Sequence, residues 1–233
     1  MTGEIVAIVP AAGVGERARA AGKDAVLPKQ YGLLHGEPML RWAVRALLAD
    51  DRVAQVRVIV VPGDSLAQEA LGGLPRTVLR ACGGPTRAAT VQAALEDLDM
   101  GEGAWALVHD AARPGLPPDD LRRLIDTCLA CGAGGLLARR VADTVKQQGD
   151  PTLDVAARTV PRDGLWLAQT PQMFPARALL DALRAVAGSG AVTDEAFAME
   201  HAGHAPLLVP GSQRNFKVTW PEDFTLMEKW LAP

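Results

Sequence analysis

Continuous apolar runs recur along the chain at Ile5–Val9, Val56–Val61, Thr77–Ala81, Trp105–His109 and Gly135–Ala138. Between them, apolar positions take helical spacing over Met39–Leu48, Ser65–Leu71, Arg87–Leu98 and Leu121–Cys131. Short unbroken apolar runs suit strands covered on both faces, and their alternation with helices predicts an α/β fold. The expected architecture is Rossmann-like, a mostly parallel sheet with helices on both faces. Ligands of such sheets bind beyond the carboxyl ends of the strands. That rule puts the loop after Val9, the Gly83-Gly84 turn and His109-Asp110 on one rim.

The pattern changes after residue 138. Val141–Lys146 and Val155–Val160 flank a Gln147-Gln148-Gly149-Asp150-Pro151 turn, which predicts a projecting β-hairpin arm over 139–161 rather than another βαβ unit. Helical spacing returns at Ala176–Ala187 and Asp194–Ala202. A strand at Pro206–Val209, another near Asn215–Val218 and a last helix, Pro221–Leu231, complete the expectation. The 233 residues suit one large α/β domain spanning 1–233, arm included.

Composition narrows the class. Apolar residues make up 48% of the chain, enough for a substantial core, and 24 basic against 27 acidic residues argue against bulk nucleic-acid binding. No apolar run of about 18 residues and no signal-peptide layout is present, so a cytoplasmic protein with no membrane association is expected. The three cysteines make no disulfide framework. Cys128 and Cys131 fall on one helical pattern, where both thiols are expected to face a core or groove. His201 and His204 lack the further partners a metal site needs.

The first rim segment carries the sharpest chemistry. Ala11, Ala12, Gly13 and Gly15 follow the first apolar run, and Arg17 and Lys29 add two cations. Glycines let backbone N–H groups approach an anion, so the stretch reads as a cradle for a nucleoside triphosphate. The third glycine of a dinucleotide fingerprint and the Gly-Lys-Ser/Thr of a P-loop are both missing. Gly83-Gly84-Pro85-Thr86-Arg87 enters a helix, either as a base-reading turn or as an ordinary turn with Thr86 as N-cap and Arg87 solvated. Asp110 and Arg113 could handle a sugar hydroxyl and a phosphate, or form a structural ion pair. Thr193 reads locally as a helix N-cap. Lys217, within a strand-like stretch, matters only if it reaches a phosphate-rich cleft.

Nine segments then fall in one order: P-A-A-G-V-G-E-R, L-P-K-Q-Y, G-G-P-T-R-A-A-T-V, H-D-A-A-R-P, D-T-V-K, R-T-V-P-R-D-G-L-W, Q-T-P-Q-M-F, V-T-D-E and N-F-K-V-T-W-P-E-D. Together, from residue 10 to residue 223, they resemble the 2-C-methyl-D-erythritol 4-phosphate cytidylyltransferase family, within the sugar-phosphate nucleotidylyltransferases. The resemblance implies transfer of a cytidylyl group from CTP to the methylerythritol phosphate in non-mevalonate isoprenoid biosynthesis. It implies that Arg17 and Lys29 stabilise the transition state and that Arg162 and Lys217 position the acceptor phosphate. Ala11 to Gly15 would wrap the triphosphate, Gly84 and Thr90 would face cytosine, and Asp110 would lie near the ribose and the metal-side groups. Arg113, Thr144, Thr170 and Thr193 would hold the acceptor. It further implies Mg2+ held mainly by CTP phosphates, with no protein metal cage. The arm would embrace a second subunit, so that Arg162 and Thr144 serve the neighbour's site in a homodimer.

Two departures and two alternatives accompany the resemblance. Pro85 stands where the family often has an acidic residue, removing a carboxylate and an N–H donor from the cytosine loop. Thr90 replaces a frequent serine and keeps the hydroxyl. A ribitol 5-phosphate cytidylyltransferase would share the glycine loop and Pro-Lys-Gln, but R-D-G-L-W and T-D-E favour the methylerythritol enzyme. A non-catalytic nucleotide-binding protein is the other alternative, against which the intact Arg17, Lys29, Arg162 and Lys217 argue.

Overall fold

The structure is a computed structural model that describes residues 3–13, 27–99, 101–188 and 192–231. A seven-stranded sheet forms its centre. Its strands in chain order are β1 (Ile5–Pro10), β4 (Val53–Ile59), β5 (Thr77–Arg80), β6 (Trp105–Val108), β7 (Gly135–Arg140), β10 (Trp166–Pro175) and β11 (Leu207–Pro210). Two short strands, β2 (Leu33–Leu34) and β3 (Glu37–Pro38), pair with each other outside it. The arm is likewise a separate pair, β8 (Val145–Gln148) with β9 (Ala156–Val160). The sheet order is β11-β7-β10-β6-β1-β4-β5, and every pairing is parallel except those of β10.

Strand periodicity explains the layering. Ala7 and Val9 face one core and Ile8 the other, because successive side chains alternate across a sheet. The Ala7 face is covered by α1 (Met39–Leu48), α2 (Ala67–Leu71) and α4 (Pro118–Cys131). The Ile8 face is covered by α3 (Arg87–Glu96), α5 (Ala176–Ala185) and α6 (Glu195–His201). A third cluster packs Met227 of α7 (Pro221–Leu231) against Leu34, Met39 and Val218.

Most expected elements lie within a few residues of their structural bounds. Helix α4 begins at Pro118 rather than Leu121. Pro118 at the first position and Asp119 and Asp120 in the first turn suit a helix start, and Gly132, with φ 61°, ends it in the left-handed region. The first arm strand begins only at Val145, so Val141–Thr144 is not part of it.

Three corrections have clear physical reasons. The expected strand near Asn215–Val218 is not one: a 3-10 turn covers Gln213–Asn215, and the following segment pairs with no strand. Instead Val218 donates its N–H to the Ala112 carbonyl, 2.8 Å away, which threads the segment beside β6. Helix α6 is capped by Asp194, whose carboxylate accepts from the Phe197 N–H at 2.9 Å, so Thr193 is not the N-cap. Of the C-x-x-C pair only Cys128 is buried; Cys131, on the last turn of α4, is exposed.

Strand β10 was not expected at all. Gln169, Pro171 and Gln172 break its apolar pattern, yet Gln169 and Gln172 are buried and its register shifts between Ala168 and Gln172. Because β10 runs antiparallel, its Gln169-Thr170 segment lies beyond Val108, on the rim where the parallel strands end.

Candidate active site

The first loop leaves β1 with the Ala11 N–H bonded to the Ile59 carbonyl at 2.8 Å. The Lys29-Gln30-Tyr31 turn closes over it. Buried Gln30 donates its amide to the Ala11 and Gly13 carbonyls at 2.9 and 3.3 Å, which explains what glutamine contributes to the Pro-Lys-Gln motif. Lys29 follows into the same corner, where its Nζ donates to the Val218 carbonyl at 2.5 Å. Gly15 and Arg17 lie outside the described residues.

The second glycine turn packs directly on the first loop. A Cβ on Gly83 would collide with the Cβ of Ala12 and come within 2.8 Å of the Val60 carbonyl oxygen, so this contact requires glycine. Thr86 caps α3, accepting from the Ala89 N–H at 3.1 Å. Buried Thr90 accepts from the Gly84 N–H at 3.1 Å and donates to the Thr86 carbonyl at 2.9 Å. Its hydroxyl therefore shapes the Gly84 turn from behind.

Beside these loops, buried Asp110 anchors a charge cluster that reaches the surface at Lys217. Its carboxylate takes Arg87 Nε at 2.8 Å on one oxygen and Lys217 Nζ at 2.9 Å on the other, with Arg113 Nε 3.6 Å away. Arg87 is not solvated. It grips Glu195 with both terminal nitrogens, at 2.7 and 3.0 Å, and Glu195 is 1% exposed. Burial would raise the Asp110 carboxyl, but Arg87, Lys217 and Arg113 outweigh it and hold the group well below the usual carboxylate range. Burial would likewise lower Arg87, and Glu195 and Asp110 reverse that, keeping it firmly cationic. In the cavity lining Arg87, Arg113 and Lys217 face two carboxylates, Asp110 and Asp194, with Glu195 lying behind Arg87, and the cations suit a phosphate.

That cavity, about 140 Å3, is lined by Arg87, Asp110, Arg113, Gln169, Thr170, Gln172, Thr193 and Lys217, among others. Gln172 fixes its floor, accepting from the Ala196 N–H at 2.7 Å and donating to Asp194 at 2.9 Å. Asn215 donates to the Thr170 carbonyl at 2.7 Å, and Arg113 donates to the Asn215 carbonyl at 2.8 Å. Among the described residues the buried Arg113 Nε has no hydrogen-bond acceptor. His109, fully buried, lies 3.0 Å from both the Thr170 hydroxyl and the Arg113 carbonyl.

Tertiary structure thus brings Asp110, Arg113, Thr170, Thr193 and Lys217 to one cavity, with Lys29 reaching the backbone next to Lys217. Thr144 and Arg162 are not among its lining. Both are exposed, and Arg162 donates to the Ala142 carbonyl near the base of the arm. Among the described residues no three His, Cys, Asp or Glu side chains gather as a metal cage.

Comparison with known proteins decides the family. The family model for 2-C-methyl-D-erythritol 4-phosphate cytidylyltransferase (IspD) matches residues 5–232. The chain belongs to that family. A relative of the same description from Bordetella petrii is 68% identical, covering 99% of this chain and all of the relative. A crystal structure described as 4-diphosphocytidyl-2C-methyl-D-erythritol synthase superposes with a TM-score of 0.84 at 34% identity, covering 99% of this chain and all of that one. The family's enzyme from Francisella tularensis superposes with a TM-score of 0.82 at 30% identity, covering 98% of this chain and all of that one.

Sequence reasoning missed several residues that hold this cavity together. His109 stood inside the His-Asp-Ala-Ala-Arg-Pro motif without a role. Arg87 and Glu195 each had a local explanation, and nothing in their spacing pairs residues 108 positions apart. Gln172 and Asn215 were quoted only as motif letters. Polar residues preceding the short Met173-Phe174 apolar pair were the available signal for buried support.

Proposed function

We propose that this chain transfers the cytidylyl group of CTP to 2-C-methyl-D-erythritol 4-phosphate, giving 4-diphosphocytidyl-2-C-methyl-D-erythritol and pyrophosphate in non-mevalonate isoprenoid biosynthesis. The observation that carries this activity is the family match over residues 5–232, joined to a cationic cavity on the rim beside two touching glycine loops. An acceptor phosphate oxygen attacks the α-phosphorus of CTP in line. The new P–O bond forms as the bond to the β-phosphate oxygen breaks, and pyrophosphate leaves.

Positioning and electrostatic stabilisation dominate such chemistry. Lys29, with Arg17, stabilises charge on the α-phosphoryl oxygens, while Ala11, Ala12, Gly13 and Gly15 follow the triphosphate. Gly84 faces cytosine, with Thr90 holding its turn. Lys217 and Arg162 aim the acceptor phosphate, and Asp110 lies near the ribose. Arg113, Thr144, Thr170 and Thr193 hold the acceptor. The donor set fits Mg2+ carried mainly by the triphosphate. Asp110 is engaged by three cations and Asp194 by its helix cap, and magnesium commonly keeps its waters and binds substrate phosphates. When bound, the ion neutralises phosphate charge.

A homodimer completes the proposal, with the arm over 139–161 carrying Thr144, and Arg162 just past it, to the neighbour's site. Leu153 and Val155 on the arm are more than half exposed, as is Leu167 just beyond it, which suits burial against a second copy. A cytoplasmic location is part of the same proposal. Among the described residues no helix is long and apolar enough to cross a membrane.

Purified protein with Mg2+, incubated with each of four nucleoside triphosphates and a panel of alcohol phosphates, tests the activity through pyrophosphate release. Turnover confined to CTP and methylerythritol phosphate is expected. Preference for ribitol 5-phosphate, or CTP binding without turnover of any acceptor, would overturn it.

A further inference from the structure

We propose that His109 is a positioning residue, held as a neutral imidazole protonated on Nε2, which fixes the Thr170 hydroxyl so that it meets the acceptor only as a hydrogen-bond acceptor. The inference builds on the activity above and assigns this hydroxyl to an O–H group of the alcohol rather than to its phosphate.

Four contacts carry it. The Asp110 N–H donates to Thr170 Oγ1 at 2.9 Å. Thr170 Oγ1 lies 3.0 Å from His109 Nδ1, and His109 Nε2 lies 3.0 Å from the Arg113 carbonyl oxygen. The Arg113 N–H in turn donates to the Asp110 carbonyl at 3.0 Å, closing the loop on itself.

A carbonyl can only accept, so Nε2 must carry a proton for its contact to be a hydrogen bond. Were the proton on Nδ1 instead, a bare Nε2 lone pair would face the carbonyl lone pairs in a buried site, an unpaired and repulsive arrangement. The imidazolium would satisfy both neighbours. Burial opposes it, however, and with help from the Arg113 charge lowers His109 to about 4 even though Asp110 and the Arg113 and Thr170 backbone groups pull the other way. The neutral form protonated on Nε2 remains.

Its bare Nδ1 then takes the Thr170 hydroxyl proton. A threonine hydroxyl has one proton and two lone pairs. With the proton engaged by His109 and one lone pair by the Asp110 N–H, a single lone pair is left. A phosphate oxygen facing it would meet lone pair against lone pair, whereas an alcohol O–H would be accepted. The cations of the cavity are left to the phosphate, and Thr170 reads the polyol.

The test has two arms. Uniform 15N-histidine labelling of the wild-type protein, with long-range 1H–15N correlation near neutral pH and His109→Gln for assignment, reads the tautomer directly. A protonated Nε2 and a bare Nδ1 are expected. A proton on Nδ1, or on both nitrogens, would overturn the proposal. In kinetics, Thr170→Val should raise KM for methylerythritol phosphate about tenfold, as loss of one hydrogen bond would, while KM for CTP stays within about twofold. Thr170→Ser should recover most of that loss. An unchanged acceptor KM in Thr170→Val, or Thr170→Ser as impaired as Thr170→Val, would also overturn it. Should Thr170→Val fail to fold by circular dichroism, the wild-type tautomer still decides. If the wild type turns over no methylerythritol phosphate, the proposed activity fails while the tautomer reports on His109 independently.

Discussion

Asp110 sits 7% exposed among three cations, held by groups from α3, the loop after β6 and the segment before α7. Arg162, beyond the foot of the arm, is exposed and donates to the Ala142 carbonyl. The arm bonds largely to itself: Lys146 donates to Thr159 at 2.8 Å, Arg158 to Gln147 at 2.7 Å, and Gln148 to the Leu153 carbonyl at 2.7 Å. An isolated two-stranded hairpin is marginal in water, whereas the cavity groups are held by hydrogen bonds and ion pairs from several packed elements. The difference separates two ways of supplying site residues. The cavity is organised by the chain's own packing. The arm offers its residues outward and, on the proposed reading, uses a second copy to place them.

The largest effect should separate the two regions by stability. Asp110→Asn removes the carboxylate that pairs with Arg87 and Lys217, which should lower unfolding free energy by about 4 kcal/mol in urea denaturation. Arg162→Ala, at an exposed position, should stay within about 0.5 kcal/mol of wild type. Equal costs would erase the distinction.

Next comes activity. Lys29→Ala should slow turnover about a hundredfold, roughly 3 kcal/mol of transition-state stabilisation, with the fold intact. Mixing Lys29→Ala subunits with Arg162→Ala subunits then asks whether the arm acts in trans. Mixed dimers should regain one working site. No recovery despite verified subunit exchange would place Arg162 in its own subunit's site.

The smallest effect is the pH dependence of the cavity. Unfolded His109 binds a proton near 6.5, while the folded residue waits until about 4. Between those values the unfolded chain holds more protons, so stability should fall as pH drops through that window. The expected loss is about 2 kcal/mol near pH 5 relative to pH 8. His109→Gln should remove this component; identical wild-type and variant pH profiles of melting temperature would show that His109 is not buried neutral.

Much of this was legible in local pattern. Apolar runs such as Ile5–Val9 and Trp105–His109 gave the parallel strands because strands buried on both faces have no polar alternation to hide them. Asp110, Arg113 and Lys217 were found through short motifs. Strand β10 was not, since buried Gln169, Gln172 and Pro171 resemble a loop until their partners are known. The same blindness hid the Arg87–Glu195 pair and left Thr193, rather than Asp194, as the expected cap.

What the sequence by itself determined was the strand–helix alternation, the rim and the residue types gathered there. These follow from periodicity and local turn chemistry, which are properties of neighbouring residues. Only the tertiary structure decided that the Asn215–Val218 segment forgoes a strand to carry Lys217 to Asp110 and the Val218 carbonyl to Lys29. Likewise, only folding set His109 between Thr170 and Arg113. Apart from His109 and Arg113, four positions apart, those pairings join residues dozens to nearly two hundred positions apart. Burial makes each unmet donor or acceptor costly, and that cost selects the partner.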